Sequence, residues 1–266
     1  MMLESPSPAA FEFVEHVARA YAKLIESPHA DPESGLGGKL FYAGELDEEG
    51  RALVVAANIA GAATLVATAD GAAQKQALRD GTANFVVTSL DESLRILKNQ
   101  LRKREPVSVC VALPPAAVER EMHERGVASD LLRHDVPIAP CHQALMPQEA
   151  EQTEFNLRKI PALVTWRVDS DRPKELVRLD EIAIESLGNG SWAAQRWVRL
   201  APRFLGRSAQ GLRLLESNRE FAARFTEQVW QSVKRGDVTI PVEIRLHHGG
   251  VQDVHRFVPG ESSDAA

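Results

Sequence analysis

The segment Gly38–Thr68, GKLFYAGELDEEGRALVVAANIAGAATLVAT, decides the fold. Lys39 to Ala43 is a short apolar run that ends at Gly44, the pattern of a buried parallel strand. Glu45 to Gly50 is polar and acidic and reads as a turn and a helix start. Ala52 to Ala63 is apolar nearly all round, as a buried crossover helix is. Leu65 to Thr68 returns as the next strand. Together these pieces make a βαβ unit of the kind that opens nucleotide-binding folds.

A phosphate-binding turn needs glycines, so that backbone N–H groups can close on the anion at a helix N-terminus. The turn here is AGELDEEG, with Gly44 and Gly50 as its glycines and with the acids Glu45, Asp47, Glu48 and Glu49. Acids suit the first turn of a helix, but they repel a pyrophosphate.

Working outward, the alternation continues downstream. Asp70 caps a helix to Arg79 that Gly81 stops. Asn84 to Thr88 is a strand, and Ser89 to Arg104 is an amphipathic helix opened by a Ser89-x-x-Glu92 capping box. The basic run Arg102, Lys103 and Arg104 suits that helix's C-terminal dipole. Pro106 to Leu113, PVSVCVAL, reads as a central parallel strand with Cys110 as a small core residue. A helix from Pro114-Pro115 to Arg125 and a short strand at Asp130–Leu132 complete the pattern. Upstream, Ser7-Pro8 opens a helix to Glu26, and SPHADPESGLGG (27–38) reads as a linker whose GLGG is a flexible connector.

Beyond Pro137, Pro140 and Pro147 the pattern changes, which places a domain boundary near residue 150. Ile160–Val168 is expected as a strand, Lys174–Leu187 as a helix broken by Gly188-Asn189-Gly190, and Trp192–Leu205 and Ser217–Lys234 as helices. Val238–Leu246 and Val251–Val258 form a hairpin around Gly249-Gly250. The fold class is therefore α/β: a doubly wound, mostly parallel Rossmann-like sheet followed by a smaller α+β module. The expected organisation is an N-terminal helix and linker (1–35), a Rossmann-like domain (36–150), an α+β module (151–258) and a disordered tail (259–266).

Composition narrows the function classes. The chain has 266 residues, 44% hydrophobic and 26% charged, with a net charge of −6. That charge argues against nucleic-acid binding, which needs a basic surface. No apolar run approaches the ~20 residues of a membrane span. MMLESPSPAAFEF lacks a basic region followed by an apolar core, so no secretory signal is expected. With only Cys110 and Cys141, neither a disulfide framework nor a zinc cluster is expected, and the simplest location is cytoplasmic.

The first half, residues 36–135, resembles the Rossmann-like NAD domain of urocanate hydratase (urocanase). The resemblance is carried in order by Gly38-Lys39, Ala43-Gly44, AGAATL (Ala60–Leu65), LDESLRILKN, PVSVCVAL and ERGVASDLL (Glu124–Leu132). It implies an NAD site at the first turn, with an acid after the second strand that holds a ribose; here only Asp70 stands near that place. The chain departs from the family pattern elsewhere. The family's first turn is dense in glycine, and its LHGNA segment corresponds here to Ala112-Leu113-Pro114-Pro115-Ala116. Of its Gln-Thr-Ser-Ala-His-Asp segment only His134-Asp135 is echoed, and its catalytic aspartate and cysteine have no counterpart. LHHGG (Leu246–Gly250) echoes a His-His-Gly-Gly stretch of the family from within a hairpin turn.

Ligands of such sheets bind at the C-terminal edge. The candidate cofactor-binding residues are therefore Gly44, Gly50, Asp70, Thr88 and Leu113, with no catalytic residue assigned. Three roles are open: a urocanase-like ligand-binding or structural module without hydratase chemistry, an NAD-dependent lyase with a rearranged site, or a protein-interaction scaffold. The scaffold reading would centre on Trp192–Trp230, with a homo-oligomer as one form. Trp192, Trp197 and Trp230 read as core of the second module, with an aromatic binding box as the alternative, and Arg196, Arg199, Arg203 and Arg207 form a basic stripe that reads as a solvated face, with an acidic partner or ligand as the alternative. His247, His248, Asp253 and His255 read as a hairpin tip rather than a metal site. Cys141-His142 lacks the third orienting group a nucleophile needs.

Overall fold

In the computed structural model, the structure describes residues 8–136, 162–168, 174–188, 190–206, 211–248 and 251–259. The expectations for Ser7, the domain boundary near 150, Cys141-His142, Asn189, Arg207, Gly249-Gly250 and the tail lie outside the described residues. One compact unit is built on Glu12–Ala139, and the other on most of the described chain beyond it.

The first unit holds α1 (Pro8–Ile25), β1 (Leu40–Glu45), α2 (Glu48–Ala60), β2 (Ala63–Ala67), α3 (Gly71–Asp80), β3 (Phe85–Val87), α4 (Leu90–Lys103), β4 (Val107–Val111), α5 (Pro115–Glu124) and β5 (Leu131–Leu132). The strands form one parallel sheet in the order β3-β4-β2-β1-β5. β4 is an interior strand, but the middle place belongs to β2. Residues alternate between two buried faces. Leu40, Tyr42, Leu65, Val109 and Val111 share a core with Leu94, Leu97, Val118 and Met122 of α4 and α5. Ser108, on the opposite face, receives Asn58 of α2 at 3.3 Å. Helices thus cover both faces, which is why the strands read as continuous apolar runs. The chain runs from β1 outward to β3 and then returns through β4 to β5 on the far side of β1, so the sheet is doubly wound.

Local chemistry sets the helix ends. Asp47, Asp70 and Ser89 cap α2, α3 and α4 through Gly50, Ala72 and Glu92 N–H groups. Gly61 and Gly81 end α2 and α3 in the left-handed conformation. GLGG is not a loose connector. Leu36 is fully buried and donates its N–H to Ala60 O at 2.7 Å, while Asp31 and Gly35 bridge each other. A side chain at Gly37 would come within 2.9 Å of Ser34 Cβ and 3.1 Å of Arg104 O. These glycines permit close packing, which composition alone does not distinguish from flexibility.

The second unit contains β6 (Ala162–Val168), α6 (Lys174–Leu187), α7 (Trp192–Leu205), β7 (Leu212–Ser217), α8 (Arg219–Arg235), β8 (Val242–His248) and β9 (Val251–Phe257). Its sheet is antiparallel, in the order β7-β6-β8-β9. β7 has no counterpart among the sequence expectations. Its Leu, Arg and Glu residues carry no strand preference, and pairing with the distant β6 makes it a strand. β8 begins at Val242 rather than Val238, immediately after Pro241, which has no N–H for a ladder. Trp197 is buried and donates Nε1–H to Leu214 O at 2.6 Å, whereas Trp192 and Trp230 are half-buried. The large core aromatic is Trp166, whose ring meets Phe225 edge-on at 5.0 Å and whose Nε1–H reaches Asp180 at 3.1 Å. Burial raises the Asp180 pKa against the opposing pull of Arg213, which donates to it at 3.0 Å.

Candidate functional site

The carboxyl edge of the parallel sheet bears a cleft of about 980 Å³, within the size range of small-molecule sites. Its walls come from the end of β1, the first turn of α2, α5 and the segment around β5. Tyr42, Gly44, Glu45, Glu119, Met122 and Arg133 are among the residues that line it.

Gly44 lies in the left-handed region at φ +72°, which turns the chain at the strand end. Gly50 serves a different need: a Cβ there would sit 1.9 Å from Glu45 O. α2 therefore packs onto the strand end only because that position has no side chain. A dinucleotide fingerprint uses its first glycine for a tight turn and its third, five residues on, for close helix–strand packing; Gly44 and Gly50 stand six residues apart. A middle glycine, which would let a pyrophosphate approach the backbone, is missing, and the buried Leu46 occupies the turn.

Asp47 Oδ1 accepts the Gly50 N–H at 2.7 Å, so the chain's own carboxylate takes a donor that a phosphate would use. Arg133, directly after β5, crosses to this turn. Its Nη1 donates to Glu45 O at 3.3 Å, and its Nη2 reaches Asp47 Oδ2 at 3.0 Å and Glu49 Oε2 at 2.5 Å. Burial works against the guanidinium's charge, but Asp47 and Glu49 outweigh it and hold the Arg133 pKa raised. The turn is thus closed on itself, and its residues do not fit a pyrophosphate laid at the N-terminus of α2.

Also in the lining, Tyr42 Oη donates to Glu119 Oε1 at 3.2 Å. Burial and the neighbouring Glu119 carboxylate push the Tyr42 pKa above its ordinary value, so the phenol stays neutral as a donor. His123 and His134 also line the cleft, and His134 Nε2 lies 3.4 Å from Asp135.

The five residues proposed from sequence all lie along the carboxyl edge, but only Gly44 lines this cleft. Gly50 is buried in α2, and Asp70 caps α3 by accepting the Ala72 N–H at 2.7 Å. Thr88 is exposed just after β3, and Leu113 follows β4, packed against the core. Arg133, Glu119 and Tyr42 were not singled out by the sequence. Four acids on one turn were the available signal, because such a cluster calls for a cation from a neighbouring strand end. In the hairpin, His247 pairs opposite Gln252 and His248 opposite Val251. No group of three or more metal-ligating side chains occurs among the described residues.

Comparison with known proteins agrees with this fold. The family model for the urocanase Rossmann-like domain matches residues 17–162. The S-methyl thiourocanate hydratase of Variovorax sp. (strain JCM 16519 / RA8) is 27% identical over 140 residues, which is 51% of this chain and 26% of that protein. The chain therefore spans about a quarter of the length of that curated relative. By the extent of the family match, the chain belongs to the urocanase family.

Proposed function

We propose that this member of the urocanase family is a ligand-binding module that keeps the family's Rossmann-like sheet without its hydratase chemistry. One observation carries the reading: the N-terminus of α2 is filled by the chain's own side chains. Asp47 takes the Gly50 N–H, and Arg133 ties Asp47 to Glu49. A dinucleotide placed there would set its pyrophosphate among Glu45, Asp47, Glu48 and Glu49, in a turn with one fewer glycine than the fingerprint needs. The neighbouring cleft remains open to a ligand without a pyrophosphate. The relative's name makes urocanate-like compounds the first class to try in it.

Calorimetric titration of NAD⁺ into the full chain tests this, with Asp70→Asn alongside. Asparagine preserves the helix cap and removes the charge expected to hold a ribose. The expected result is no binding at millimolar NAD⁺ in either protein. Micromolar binding that is lost in Asp70→Asn would overturn the reading and favour an NAD-dependent lyase with a rearranged site.

A further inference from the structure

A second charged arrangement lies on the antiparallel sheet, and it stands independently of the cleft. Register sets Arg167 of β6 and Arg256 of β9 directly opposite Glu243 of β8, one on each side. Arg245, two residues along β8, shares their face. Glu243 is 1% exposed. Its Oε1 accepts from Arg167 Nη2 at 2.9 Å and from Arg245 Nε at 2.5 Å, and its Oε2 accepts from Arg256 Nε at 2.9 Å.

Three guanidiniums therefore share one carboxylate, and positive charge is in excess on this face. Arg167 is buried together with Glu243. The other two differ: the side chains of Arg245 and Arg256 are 31% and 65% exposed. Each commits its Nε to Glu243, and its Nη groups have no acceptor among the described residues. Like charges set side by side on a sheet face repel. Here the repulsion is maintained by a buried anchor that fixes both guanidinium planes and leaves their outer N–H groups unused. Such a fork matches the paired oxygens of a phosphate or a carboxylate.

We propose that Arg245 and Arg256, held by Glu243, form a binding site for the oxyanion group of a small ligand, either a phosphoryl or a carboxylate group. Glu243 acts as the positioning residue, and the two arginines make the contact.

The test titrates inorganic phosphate and, separately, acetate into the full chain at constant ionic strength set with chloride. It follows the arginine Nε–Hε signals by NMR. The expected result is saturable movement of the Arg245 and Arg256 signals, with affinity about ten-fold or more weaker in Arg256→Gln. Tighter phosphate binding would assign a phosphoryl ligand, and tighter acetate binding a carboxylate ligand. Signals that follow only ionic strength, or an Arg256→Gln protein that binds as well as the parent, would overturn the site. Arg256 is the more exposed of the two, so its replacement keeps the fold where Glu243→Gln risks it.

Discussion

Arg133 and Asp47 are 86 residues apart in sequence, and their side chains meet at 3.0 Å. The contact ties the strand on one side of β1 to the N-cap of the helix that leaves β1. Asp47 holds two partners at once, the Gly50 N–H and the Arg133 guanidinium. A turn with four acids and no counter-cation would repel itself; with Arg133 in place it is a closed structural element. The same contact leaves Asp47 accepting the Gly50 N–H, one of the donors at the N-terminus of α2.

Replacing Arg133 with alanine should therefore destabilise the first unit. Arg133 is 26% exposed, and Asp47 and Glu49 are 47% and 46% exposed, so solvent screens the pairs heavily. The expected loss is about 1 kcal/mol at low salt and close to nothing at molar salt. Urea denaturation at the two ionic strengths measures it. A loss that salt does not change would mean that Arg133 acts by packing and not by charge.

Gly50→Ala should cost more, upwards of about 3 kcal/mol, because its Cβ would meet a backbone carbonyl that cannot swing aside. Gly71 provides the control. Nothing lies within 4 Å of the Cβ it would gain, and its φ is not in the left-handed region. Gly71→Ala at the start of α3 should leave stability unchanged or raise it by up to about 1 kcal/mol. Thermal melting of the two variants side by side decides the matter, and equal losses would refute the packing role of Gly50.

These contrasts explain what the sequence made legible. The caps Asp70 and Ser89 and the stop glycine Gly81 act within a turn of their own helices, so local patterns reveal them. The apolar run places α2 at Ala52–Ala63, but Asp47 starts that helix one turn earlier and Gly61 ends it. The two-sided burial of β2 and β4 shows equally well as unbroken apolar runs. Arg133 and β7 depend on partners far away in the chain. An arginine after a two-residue strand looks like any surface cation until β5 is placed beside β1. LRLLES looks helical until β6 pairs with it. The GLGG segment misleads for a related reason: glycine gives freedom to an exposed chain and tight contact to a packed one. The site residues reached from the rule that ligands bind at the sheet's carboxyl edge were those at strand ends, while the cleft is walled largely by α5 and the β5 segment.

Cys110 should behave as an inert core thiol. It is fully buried, and burial pushes its pKa up to about 11. In a Cys141→Ser background, a thiol reagent at about pH 8 should find no reactive group in the native protein and one after urea is added. Rapid native labelling would show that the β4 face opens more readily than its packing implies.

Glu243 gives the clearest pH prediction. Burial opposes its ionisation, but Arg167, Arg245 and Arg256 overcome that and hold its pKa down at about 2, against an ordinary 4.5. A carboxylate whose folded pKa is depressed adds stability that is fully present above its unfolded value and is lost as pH falls through the folded one. The contribution, about 3 kcal/mol by linkage, should therefore hold at neutral pH and fade between pH 4.5 and about 2. Glu243→Gln should remove that part of the acid transition. It should also cost about 3–5 kcal/mol at neutral pH, because Arg167 is left buried without its carboxylate. Stability measured by urea denaturation from neutral pH down to pH 3 checks both statements. A variant whose acid profile runs parallel to the parent's would show that other carboxylates carry the transition.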